Sequence, residues 1–132
     1  MKITLQQKKN LKKIAQKYHL KLILLYGSAA KNSLKKTSDI DIAILPEKEL
    51  SLKTFLSLHT ELSQILGNDF KRELDLVDLR KKDPLFLYQV AKNCLLLYGE
   101  LNDFNEFRAF AFRYYLDSRD LRNLEKKLVE KA

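Results

Sequence analysis

Apolar and polar positions change their period several times along the chain, and each change marks an element. From about Thr4 to His19, Leu11, Ile14, Ala15 and Tyr18 fall on one helical face, and Lys8, Lys9, Lys12, Lys13 and Lys17 cover the other. Lys21–Gly27 is a nearly unbroken apolar run stopped by a glycine, the pattern of a buried strand. A short helical turn through Ala29–Leu34 and a Lys35-Lys36-Thr37 loop lead to Asp39–Leu45. There a period of two puts Asp39 and Asp41 on one face and Ile40, Ile42 and Ile44 on the other. Pro46 ends that strand. Ser51 fits the N-cap of a helix running to about Leu66, with Phe55, Leu58, Leu62 and Ile65/Leu66 at helical spacing and Gly67 as its stop.

After a loop at Phe70–Glu73, the stretch Glu73–Leu79 alternates again, with Leu74, Leu76 and Asp78 on one side and Asp75, Val77 and Leu79 on the other. In this third strand Asp75 is expected to be buried mid-strand and Asp78 to be solvated near the strand end. Asp83-Pro84 starts a helix that runs through about Asn93, with Asp as cap and Pro in the first turn. Leu95–Gly99 is a short strand. Asn102 or Asp103 is expected to cap a last helix reaching toward Glu130. Such a helix would be roughly 42 Å long, with Phe104, Phe107, Phe110, Ala111, Tyr114 and Tyr115 buried and Leu121, Leu124 and Leu128 half-buried. Its end beyond Asp117 is expected to bend back or to dock on another subunit or partner, the alternative being that the whole helix packs on the core. Strands alternating with helices predict an α/β (α+β) fold with a small mixed β-sheet and helices packed on it.

The 132 residues suit a single domain, with a core over about 20–99 and a terminal helix over about 102–130; no Gly/Pro/Ser-rich linker divides them. One cysteine, Cys94, excludes an intramolecular disulfide and a Cys-rich zinc site, and points to reducing, cytoplasmic surroundings. It reads as a small core residue. The first residues lack the apolar core of a signal peptide, and no run approaches a membrane span. The net charge of +8 is unevenly placed, because residues 1–36 hold ten lysines and no acid. That helix face is read as a solvated lysine surface, with attraction of phosphates or an acidic partner as the alternative. No aromatic-basic reading surface supports nucleic-acid binding.

Chemistry concentrates in Leu24–Leu45. Asp39 and Asp41, two apart on one strand, lie roughly 6–7 Å apart at Cβ, close enough to grip one divalent cation or a pair. Hard oxygen ligands suit Mg²⁺. Gly27 and Ser28, at a strand end, can offer backbone N–H groups and a hydroxyl to phosphate oxygens. No Gly-x-x-x-x-Gly-Lys run is present, which excludes a P-loop. His19 and His59 have no Cys or His at ligand spacing and read as surface or structural residues.

Gly-Ser, then Asp-x-Asp ten residues on, then a later acidic strand reading LDLVDL, resembles the minimal nucleotidyltransferases of the polymerase beta-like superfamily. Within it the chain is most similar to the MNT-domain antitoxins paired with HEPN-domain toxins, over about Leu20–Gly99. The resemblance implies a Mg²⁺-dependent transfer of AMP from ATP to a hydroxyl, a tyrosine of the HEPN toxin. It makes Gly27 and Ser28 the triphosphate contacts, Asp39 and Asp41 catalytic metal ligands, and Asp75 the third carboxylate. The chain departs from the pattern after Gly-Ser, where many relatives carry basic residues and a glycine and this one has Ala29, Ala30, Lys31 and Asn32. Lys31, Lys35 and Lys36 are the substitutes that the loop offers. Two other readings stand beside this one: adenylylation of a small molecule, and a non-catalytic antitoxin that blocks its partner by contact.

Overall fold

The computed structural model describes residues 3–27, 39–67 and 73–131. The expected turn at Ala29–Leu34, the loop at Lys35–Thr37, Ser28 and most of the loop at Phe70–Glu73 lie outside the described residues.

Local signals set the helix ends. Helix α1 (Leu5–Lys17) begins in a capping box, with Thr4 Oγ1 accepting from Gln7 N–H and the Gln7 side chain accepting from Thr4 N–H. Ser51 caps α2 (Leu52–Leu66) by accepting from Thr54 N–H, and Gly67 closes it. Asp83 caps α3 (Pro84–Lys92), accepting from Phe86 N–H at 2.8 Å, with Pro84 in the first turn where its missing N–H costs nothing.

Strands β1 (Leu20–Tyr26), β2 (Ile40–Pro46), β3 (Leu74–Asp78) and β4 (Cys94–Tyr98) form one mixed sheet in the order β3-β2-β1-β4. β1 runs antiparallel to both neighbours, and β2 and β3 are parallel. Alternation along the strands supplies two apolar faces. Ile23, Leu25, Ile40, Ile42 and Ile44 pack with Leu74 and Leu76 against α1 and α2. Leu22, Leu24 and Ala43 face α3 and the first half of the last helix, α4 (Leu101–Lys131). His59 has the structural role expected of it, its Nε2 lying 2.7 Å from Leu74 O and tying α2 to β3.

Several expectations are corrected. α4 starts at Leu101, so neither Asn102 nor Asp103 is its cap; Asp103 lies inside the first turn and pairs with Lys21 at 3.7 Å. The helix does not bend beyond Asp117 but continues to Lys131. It is not packed on the core throughout either: Leu121, Leu124 and Leu128 are 58%, 54% and 62% exposed. Phe107 and Ala111 are buried as expected, whereas Phe110 and Tyr114 are exposed, because α3 and the sheet cover only one side of the helix. No helix among the described residues is long and apolar enough to cross a membrane.

Candidate active site

Strand register builds the site. Asp41 of β2 stands directly opposite Tyr26 of β1 and directly beside Asp75 of β3. Cys94 of β4 lies on the far side of Tyr26, completing one row across the sheet. Asp39, two residues before Asp41, shares its face by the period of two. The opposite face at this level is Leu25, Ile40 and Leu74, all in the α1/α2 core. Three carboxylates therefore lie at one end of the sheet, on the face that α3 and α4 leave open there.

Their environments differ. Asp41 is half-buried, while Asp39 and Asp75 are exposed. Burial first, and then the charges of Asp75 and Asp39, push the Asp41 carboxyl above the usual carboxylate range. A bound cation would relieve both effects. Burial also raises the Tyr26 hydroxyl well above its ordinary value, helped by the charges of Asp41 and Asp75, so it remains a neutral donor. Sequence reasoning passed over Tyr26. Pairing the residue before the glycine with the Asp-x-Asp strand would have found it.

Gly27 touches this cluster. Its φ of +73° belongs to the left-handed region, and a Cβ placed on it would collide with Asp41 Oδ2. Glycine is required here for both conformation and space, and the backbone can approach whatever the carboxylate holds.

Asp75 and Asp78 exchange the environments expected of them. Asp75 is exposed, whereas Asp78 is only 7% exposed, with Oδ1 accepting from Arg80 N–H at 2.9 Å to start the 3₁₀ turn at Leu79–Lys81. The strand faces were read correctly, but the open side is the one that carries Asp75. Asp78 thus serves the turn after β3, on the side away from Asp41.

The donor set fits a hard divalent cation: carboxylate oxygens only, on adjacent strands, with mutual repulsion that a cation would offset. Among the described residues no group of three acidic, His or Cys side chains closes into a ready-made metal cage. Mg²⁺ seldom uses such a cage and usually completes its shell with water and substrate phosphates.

Comparison with known proteins agrees with this geometry. The family model for polymerase beta nucleotidyltransferases matches residues 9–103. The protein adenylyltransferase MntA of Aphanizomenon flos-aquae (strain 2012/KM1/D3) is 30% identical over 118 residues, which are 85% of this chain and 77% of that protein. A crystal structure of a toxin–antitoxin with AMP-PNP superposes with a TM-score of 0.74 at 26% identity, covering 93% of this chain and 98% of the other. A structure of the tri-AMPylated Shewanella oneidensis HEPN toxin in complex with MNT antitoxin gives a TM-score of 0.69 at 25% identity, covering 95% and 97%. With a glycine-ended strand against paired acidic strands, and that match over most of its length, the chain belongs to the polymerase beta-type nucleotidyltransferases.

Proposed function

We propose that this protein transfers AMP from ATP to a tyrosine hydroxyl of a HEPN-domain toxin and so acts as its antitoxin. The observation that carries the proposal is the register that sets Asp41 beside Asp75 with Gly27 pressed against Asp41. The similarity to an MntA adenylyltransferase and to toxin–antitoxin complexes, one with AMP-PNP and one with an AMPylated toxin, supports the choice of nucleotide and acceptor.

In this reading Asp39, Asp41 and Asp75 would hold Mg²⁺, whose charge would offset that of the phosphates. Gly27 N–H and Ser28 hold the outer phosphates, so that the α-phosphorus faces the acceptor. The acceptor oxygen bonds to that phosphorus, the bridge to the β-phosphate breaks, and pyrophosphate leaves. In this reading Asp75, which is exposed and beside Asp41, takes the hydroxyl proton. The exposed leucines of the far half of α4 offer the partner an apolar surface.

The test is intact-mass spectrometry of the co-expressed partner after incubation with ATP and Mg²⁺. The partner should gain one or more AMP masses, and Asp41→Asn should slow this by at least about a hundredfold while remaining folded, since it removes a charge worth several kcal/mol in the transition state. Undiminished transfer by folded Asp41→Asn protein would overturn the site.

A further inference from the structure

From Arg119 to Val129 every described side chain of α4 is exposed, although the helix runs unbroken to Lys131. Helices draw most of their stability from burying an apolar face, and here such a face is left open. Its spacing is informative. Phe110, Tyr114, Asp117, Leu121, Leu124 and Leu128, all exposed, are alternately four and three residues apart. That mean period of about 3.5 is the seam of a left-handed two-helix coil, whereas a helix lying on a globular core carries a wider apolar stripe.

We infer that, in the absence of the toxin, α4 pairs antiparallel with α4 of a second copy of this chain, about a two-fold axis between Leu121 and Leu124. In that register Leu121 of each copy meets Leu124 of the other, and Asp120 of each lies beside Lys127 of the other. The neighbouring arrangements all bring like charges together. Sliding the antiparallel pair by one heptad sets Asp120 beside Asp120 in one direction and Lys127 beside Lys127 in the other. A parallel pair puts Asp117 against Asp117 inside the seam and Asp120 beside Glu125. Of these arrangements only the centred antiparallel one joins leucine to leucine with opposite charges alongside. The seam from Tyr114 to Leu128 is about 22 Å long, so the dimer is reversible and depends on concentration. Toxin docking on the same leucines would displace the second copy, and the pairing itself does not depend on nucleotidyl transfer.

Sedimentation velocity of the full, toxin-free chain over a dilution series tests this pairing. Wild type should pass from dimer to monomer on dilution. Asp120→Lys and Lys127→Asp both change exposed positions, and circular dichroism should show the helix content kept. Each should weaken the dimer about five- to thirtyfold, because two attractions become two repulsions. The double variant Asp120→Lys/Lys127→Asp should recover to within about threefold of wild type. A dimer strengthened by Asp120→Lys would mean a parallel pair, in which the new lysine meets Glu125, and would overturn the proposal. So would a monomer at every concentration, or a dimer indifferent to both single changes. Failure of the double variant to recover would refute the register.

Discussion

Substituting Gly27 by Ala separates two reasons for a glycine. The first is conformational: with φ at +73°, a side chain at this position costs about 1–2 kcal/mol. The second is spatial, because the new methyl would collide with Asp41 Oδ2 and force that carboxylate to move. Gly67 supplies the control. Its φ is +86°, also in glycine territory, yet a Cβ there would meet nothing within 4 Å. Both Gly27→Ala and Gly67→Ala should therefore lose about 1–2 kcal/mol in urea unfolding, with unchanged slope. Only Gly27→Ala should lose transfer, by about a hundredfold, the typical effect of displacing a reacting group by about 1 Å. Transfer rates on the toxin, measured with both variants mostly folded, decide the matter. If Gly27→Ala transferred AMP within a few-fold of Gly67→Ala, the close approach of Gly27 to Asp41 would have no part in the reaction.

Two further outcomes are expected. Asp78→Ala should cost about 1–2 kcal/mol of stability, because it strips the buried acceptor from Arg80 N–H, with transfer by the folded fraction nearly normal; Asp75→Asn should do the opposite, leaving stability intact and stopping transfer, and urea unfolding beside a transfer assay would expose a reversal. Glu61 is held below the usual carboxylate range by its 2.8 Å bond with Lys17 and then by the Tyr18 hydroxyl, so its contribution exists at neutral pH and disappears as pH falls through its lowered value. Glu61→Gln should thus be less stable than wild type by about 0.5–1 kcal/mol at pH 7, with the discount proper to a partly exposed pair, and the gap should close as pH falls through that lowered value; a gap that persisted in strong acid would refute this account.

What could be read from residues alone was whatever depends on neighbours in sequence. The period of two in Asp39–Leu45 places both aspartates opposite the isoleucines whatever the strand packs on, and Ser51 and Asp83 announce helix starts through bonds that span three residues. The identity of the family was legible for the same reason, since Gly27-Ser28 and Asp39-x-Asp41 are a local spacing. Placement of the third carboxylate was not local. Asp75 and Asp78 lie in the same short acidic strand, and only the parallel register of β3 on β2 sets Asp75 beside Asp41 and leaves Asp78 to the turn. Burial misled there because which end of a sheet face stays open depends on how far α3 and α4 reach across it. The same dependence decided α4, whose apolar stripe is continuous in sequence but meets the core only as far as the sheet and α3 extend, leaving Leu121, Leu124 and Leu128 in solvent. The place of Tyr26 beside Asp41 and the collision space around Gly27 arise from contacts between elements distant in the chain, and those exist only once the sheet has closed.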